Sequence, residues 1–100
     1  MSRAPSTRAD GSPFDKATID AVWAKATRED GYESFRKDRC GASIHRTDYG
    51  KTEKFGWEID HVKPVGRGGT DDLSNLQPLH WENNRHKGDS CPEWSCRVYE

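Results

Sequence analysis

The residues from Phe55 to Gly88 place the strongest constraint on what this chain can fold into. Apolar and polar side chains alternate from Phe55 to Val62, which predicts a strand, and Pro64 ends it. Three glycines lie in the stretch 66–74 and predict a loop there. A strand followed directly by a long glycine-rich loop is therefore expected.

After this loop the sequence pattern predicts a second strand and then a helix. Residues 76–79 predict a second short strand. Residues 80–87 predict a short helix, which Gly88 closes as the C′ residue. Strand, loop, strand and helix together form a ββα unit.

The chain before residue 55 contains one predicted amphipathic helix. From Asp15, the expected N-cap, to about Thr27, apolar residues recur at three- and four-residue spacing; they are Ile19, Val22, Trp23 and Ala26. Residues Tyr32 to Arg39 are expected to be a polar connector, and Ala42 to Arg46 a short strand.

The length of the chain allows one small domain. With 100 residues and a hydrophobic content of 31%, the hydrophobic core must be small. Residues 1–13 are rich in Ser, Arg, Pro, Gly and Asp, and we expect a flexible tail there. Residues 14–100 are expected to form one α+β domain, an N-terminal helix added to a ββα unit at about residues 55–89.

Composition excludes some classes of protein and leaves others open. Charged residues make up 33% of the chain, yet the formal net charge is −1, so composition alone does not indicate nucleic-acid binding. No apolar run approaches the roughly 18 residues of a membrane helix, and no signal-peptide pattern follows Arg3 and Arg8. Three cysteines fit a reducing compartment better than a disulfide framework. We expect a cytoplasmic protein.

Asp60 and His61 place a metal ligand and a base at the end of the predicted strand. A carboxylate suits Mg²⁺ or Mn²⁺, and Asn84 on the predicted helix offers a second oxygen. Imidazole, with an unperturbed pKa of about 6.5, can take a proton from water at neutral pH. Because adjacent residues on a strand point to opposite faces, Asp60 and His61 can act on one phosphate only if the strand ends or is distorted there.

Polar residues around this pair complete a site suited to cutting a phosphodiester. Asn75 lies between loop and strand, where Asn commonly bonds backbone groups, and we expect a supporting role for it. Five basic side chains are expected to contact DNA phosphates, which positions a duplex without reading its sequence; they are Lys63, Arg67, Arg85, His86 and Lys87.

Residues 56–89 resemble the HNH, or ββα-metal, nuclease family. The shared elements, in the family's order and spacing, are Asp60-His61 with Pro64, Gly68-Gly69, Asn75-Leu76, and Asn84 with Lys87. The resemblance implies that His61 is the general base and that Asp60 and Asn84 hold a divalent metal. It also implies that Asn75 holds the loop that orients the histidine.

The resemblance implies a DNA endonuclease that depends on one divalent ion, Mg²⁺ or Mn²⁺. Water attack should leave 5′-phosphate and 3′-hydroxyl ends, and a monomer with one site should nick one strand, so no oligomer is required. Two alternatives remain open: a catalytically idle zinc- or DNA-binding module, and an accessory subunit active only in a larger complex such as phage packaging machinery. The intact set Asp60, His61 and Asn84 argues against the idle module.

Many relatives bind a structural zinc with two Cys-x-x-Cys pairs, and this chain departs from them. The corresponding positions hold Cys40 and Ser43, then His80 and Asn83. A Cys₃His set remains, composed of Cys40, His45, Cys91 and Cys96. A structural zinc is possible but not favoured over an aromatic core, for which we expect Trp23, Trp57, Trp81 and Trp94. For His80, packing at the helix start is favoured over a place at the metal.

Overall fold

A computed structural model describes residues 4–99 as a small α+β domain. The regular elements are α1 (Lys16–Trp23), β1 (Thr27–Glu29), β2 (Tyr32–Lys37), β3 (Ser43–His45), β4 (Trp57–His61), β5 (Leu76–His80) and α2 (Trp81–Lys87). Strands β1, β2 and β3 form one antiparallel sheet in that order, and β4 pairs with β5 in a second. No helix between residues 4 and 99 is long and apolar enough to cross a membrane.

Helix α1 begins where the sequence predicts and ends earlier. The Asp15 carboxylate accepts a hydrogen bond from the Thr18 backbone N–H at 2.9 Å, the N-cap contact expected of it. The helix stops at Trp23 because the next residues form tighter turns, with the Ala26 N–H bonded to the Trp23 carbonyl, and then enter β1. The predicted end near Thr27 was therefore about one turn too late.

The prediction of a polar connector at residues 32–39 is wrong for most of that stretch. Strand β2 occupies Tyr32–Lys37 and is the centre of the three-stranded sheet. Half of its residues are exposed, so it lacks the apolar alternation that marks a half-buried strand. Its hydrogen bonds to two neighbouring strands, rather than burial, determine its conformation.

The ββα unit forms as predicted, and the core lies beneath it. The register of β4 and β5 runs from Trp57 opposite His80 to His61 opposite Leu76. The core contains Phe14, Val22, Trp23, Ala26, Ile44, Trp57, Ile59 and Leu76. The predicted aromatic core is correct for Trp23 and Trp57, whose rings lie 5.3 Å apart, whereas Trp81 and Trp94 are partly exposed outside it.

The described part of the predicted N-terminal tail contacts the domain. The Ser6 hydroxyl accepts a hydrogen bond from the Ile59 N–H at 2.9 Å and lies 2.7 Å from the Tyr49 hydroxyl. Thr7 and Pro13 form a β-bridge. Residues 1–3 lie outside the described residues, and the division of the chain at residue 13 stays a prediction.

Three of the four residues considered for zinc make other contacts. Cys40 and Cys96 form a disulfide, which the cysteine count did not predict, and Cys91 is a free thiol. The His45 Nδ1 accepts a hydrogen bond from the Thr47 N–H at 3.2 Å. With two of the sulfurs bonded to each other, this set does not offer three thiolates to a metal.

Asp38 and Asn83 are buried, and they form a hydrogen-bond network with each other and with nearby backbone groups. The Asp38 carboxylate accepts hydrogen bonds from the backbone N–H groups of Cys40, Ala42 and His80 and from the Asn83 amide. The Asn83 amide also bonds the Val98 carbonyl, and its oxygen accepts from the N–H groups of Arg97 and Val98. Together with the disulfide, these bonds fasten the C-terminal segment to α2 and the loop before β3.

We predict that Asp38→Ala lowers the free energy of unfolding by at least about 3 kcal/mol, because several buried donors lose a charged acceptor. Asp20→Ala is the matched control, since Asp20 makes an exposed ion pair with Lys16 one helical turn away, worth about 0.5 kcal/mol or less. Urea unfolding of both variants with the disulfide intact measures the difference. Equal losses would contradict a structural role for the Asp38 network.

Candidate active site

Helix α2 lies against one face of β4, and its side chains pair with those of the strand. Glu58 and Asp60 share this face because they are two residues apart on a strand. Asn84 and Lys87 share a face of α2 because they are three residues apart on a helix. The two spacings bring Asn84 to Glu58 and Lys87 to Asp60.

Asp60 is a buried carboxylate with two polar partners. Its Oδ2 accepts a hydrogen bond from the Gln77 amide at 2.8 Å, and its Oδ1 lies 3.2 Å from the Lys87 ammonium. Burial raises the pKa of Asp60 above its usual value, although the Gln77 hydrogen bond and the Lys87 charge act in the opposite direction. An additional cation beside Asp60 would favour its ionised form.

Asn84 is oriented by a residue that the sequence argument did not single out. Its amide nitrogen donates to the Glu58 Oε1 at 2.8 Å, while the Glu58 Oε2 accepts from Arg85 at 2.8 Å. Because a carboxylate can only accept, the Asn84 NH₂ faces Glu58 and the carbonyl oxygen is the atom left for a cation. The position of Glu58 two residues before Asp60 was a signal that could have identified it.

His61 is the last residue of β4, and its side chain turns toward the following loop. Its Nε2 lies 2.8 Å from the Asp71 Oδ1, and the Phe14 ring packs at a centroid distance of 6.0 Å. The side chain is 8% exposed. Strand β4 ends at His61. This meets the condition stated above, that Asp60 and His61 can act on one phosphate only if the strand ends or is distorted there.

Asn75 holds the loop between the two strands of the unit. Its amide nitrogen donates to the carbonyls of Lys63 and Thr70, and its oxygen accepts from the Lys63 N–H at 2.8 Å. Gly69 lies so close to the Lys63 carbonyl that a Cβ there would overlap it, so the loop requires glycine at this position. These are the contacts expected of a loop-holding Asn; an effect on catalysis stays a prediction.

Asp60, His61 and Asn84 line one cavity with a volume of about 440 Å³. Arg85 and the loop at Pro64–Gly66 form further parts of its wall. The N-terminal segment Ala4–Thr7 closes another side. The three motif residues, which are distributed over 25 positions of the sequence (60–84), thus meet at one opening.

The predicted phosphate contacts divide into two groups. Lys63, Arg67, Arg85 and His86 are exposed, and Arg85 also lies over the Trp81 ring. Lys87, in contrast, is buried, and its ammonium binds the Asp60 carboxylate and, at 3.1 Å, the His61 carbonyl. The described position of Lys87 is that of a charge partner within the site, and a contact with phosphate by any of the five stays a prediction.

His80 packs at the start of α2, as favoured from its sequence position. Its Nδ1 accepts from the Glu82 N–H at 3.1 Å, and its Nε2 lies 2.7 Å from the Lys54 carbonyl. Both ring nitrogens therefore have protein partners.

A family model described as HNH endonuclease matches residues 38–90, which is just over half of the chain. The chain belongs to the HNH endonuclease family. The match includes all of β4, β5 and α2 and the loop between the two strands, and therefore Asp60, His61, Asn75 and Asn84. Comparison with curated proteins and with solved structures gave no match.

The HNH endonuclease family typically uses a divalent metal, and the donors in this cavity are compatible with one. Among residues 4–99 no group of three His, Cys, Asp or Glu side chains is arranged to hold a metal. Asp60 and Asn84 provide one anionic and one neutral oxygen. That pair suits Mg²⁺ or Mn²⁺, which are commonly bound by one or two protein oxygens with water and substrate phosphate as further ligands.

Proposed function

We propose that this protein is a divalent-metal-dependent DNA endonuclease that hydrolyses phosphodiester bonds. The observation that supports it most is the common cavity of Asp60, His61 and Asn84. A carboxylate, an imidazole and an amide oxygen at one opening are the groups needed to activate water beside a phosphate.

His61 is the general base in this proposal. As the ring takes a proton from a water molecule, the water oxygen forms a bond to phosphorus, and the bond between phosphorus and the 3′-oxygen breaks. The products are a 5′-phosphate and a 3′-hydroxyl, whose proton comes from solvent. A positioned base contributes about 10²–10⁴-fold to such a reaction.

Asp60 and Asn84 would hold the metal, Mg²⁺ or Mn²⁺, which would polarise the phosphate and stabilise the negative charge of the leaving oxygen. Glu58 orients the Asn84 amide, and Gln77 and Lys87 fix the Asp60 carboxylate. These contacts keep the two oxygen donors in place before DNA arrives.

DNA would be held mainly through its phosphate backbone. Arg85 is anchored to Glu58 at 2.8 Å while its side chain remains 46% exposed at the cavity, so its charge is held at the opening. Lys63, Arg67 and His86 provide further exposed basic side chains. Such contacts position DNA without reading bases, and one site per chain predicts nicking by a monomer.

We predict that the purified protein converts supercoiled plasmid to open circles with Mg²⁺ or Mn²⁺ and that EDTA stops the reaction, because the oxygen donors Asp60 and Asn84 require a cation to act on phosphate. Gel electrophoresis at fixed salt measures the conversion, since DNA affinity depends on salt. Excess Mg²⁺ added after EDTA should restore cutting. Undiminished cutting in EDTA would exclude the metal mechanism, and DNA binding without cutting would indicate an idle module.

A further inference from the structure

The Asp71 carboxylate contacts the histidine of the site from a loop position outside the motif residues. Its Oδ1 lies 2.8 Å from the His61 Nε2. Both of its oxygens also accept a hydrogen bond from the Ala9 N–H, at 3.0 and 3.1 Å. Asp71 is therefore fixed between the N-terminal segment and the His61 ring.

This contact selects one tautomer of the neutral imidazole. An ionised carboxylate has no hydrogen to donate, so the Nε2 facing it must carry the hydrogen. The Nδ1 is then the nitrogen with the free electron pair. Partial burial alone would raise the pKa of Asp71, but the hydrogen bonds from His61 and Ala9 lower it overall, which keeps the carboxylate ionised at neutral pH.

The surroundings restrict rotation of the ring. His61 is 8% exposed and lies against the buried Phe14 ring. A flip of the ring about the Cβ–Cγ bond would put Cε1 where Nε2 lies and would lose the bond to Asp71. His61 also lines the cavity that Asp60 and Asn84 line.

We propose that Asp71 is a positioning residue for His61. It holds the imidazole in the Nε2–H tautomer and leaves Nδ1 as the nitrogen that takes the proton from water. The inference rests on the nuclease function proposed above, because it concerns the base of that reaction. Asp71 itself does not contact substrate in this mechanism.

Asp71→Asn tests the proposal, with Asp72→Asn as the matched control. Asp72 is exposed and carries the same charge one residue later, and its side chain does not cap the turn it precedes. In Asp71→Asn the amide oxygen can still accept from Ala9, but the NH₂ group can then face His61 and donate, which favours the Nδ1–H tautomer. Long-range ¹H–¹⁵N spectra of the imidazole nitrogens, at a pH where the ring is neutral, report the tautomer without any need for cleavage.

We expect wild type and Asp72→Asn to show His61 as the Nε2–H tautomer, and Asp71→Asn to lose that preference. On a short DNA duplex with Mg²⁺, kcat of Asp71→Asn should fall about 10- to 100-fold, less than the full contribution of the base, while KM changes less than about threefold. Asp71→Glu, which keeps the carboxylate, should recover part of kcat and the Nε2–H tautomer.

An Nδ1–H tautomer of His61 in the wild type would overturn the proposal. So would an unchanged kcat in Asp71→Asn, or an equal loss in Asp72→Asn. If the wild type itself cuts no DNA under any metal, the nuclease proposal fails instead, and the tautomer spectra still decide whether Asp71 holds the ring.

Discussion

His61→Ala is expected to lower kcat on plasmid DNA by about two orders of magnitude or more, while DNA affinity changes little. A general base acts on the transition state, so its loss affects turnover rather than ground-state binding. The position of His61 beside Asp60 in the cavity, with Nε2 occupied by Asp71, is that of a base and not of an exposed phosphate contact. Single-turnover rates with Mg²⁺ and binding measured in EDTA separate the two effects.

His61→Gln controls for damage to the fold. Its amide can donate to the Asp71 carboxylate and fill part of the space beside Phe14, but it has no basic nitrogen. Both variants should therefore lose kcat to a similar extent, with the Gln variant close to wild type in unfolding free energy. If binding falls in step with cleavage in both, His61 is a DNA contact and the assignment as base is wrong.

Asn84→Ala is expected to lower activity by about two orders of magnitude with every divalent metal, since a lost metal ligand removes several kcal/mol of charge stabilisation. Asn84→His should lose Mg²⁺-supported activity and gain relative activity with Ni²⁺ or Co²⁺. The physical reason is that imidazole suits these ions better than Mg²⁺, which prefers oxygen donors.

A metal series at fixed pH and salt, with metal affinity measured by calorimetry, checks the assignment of Asn84. The comparison must include wild type, because its own ranking of metals is the reference. An unchanged ranking in the His variant would place Asn84 outside the metal's coordination shell. Asn84 would then act through Glu58, whose carboxylate it contacts at 2.8 Å.

Local sequence patterns were sufficient for the elements that carry the site. The alternation from Phe55 to Val62 predicted β4, and the glycine after Lys87 predicted the end of α2. Strand β2 was missed, because it is half exposed and its conformation depends on neighbouring strands rather than on burial of its own side chains.

The sequence predicted the motif residues of the candidate site and Asn75, but not the other side chains that contact them in the structure. Asp60, His61 and Asn84 were identifiable from residue type, order and spacing. Glu58 had a detectable signal in the two-residue spacing from Asp60. Asp71 had none, because a loop has no periodicity from which the direction of a side chain can be inferred.

The sequence by itself determined the order of the ββα elements, the family and the groups able to perform the chemistry, since these depend on residue type and short spacing. Only the tertiary structure decided which distant groups meet. It paired Cys40 with Cys96, placed Lys87 against Asp60 and brought Asp71 to His61. The contacts among these residues join positions 10 to 56 residues apart, and no local pattern encodes them because they follow from how the sheets and α2 pack.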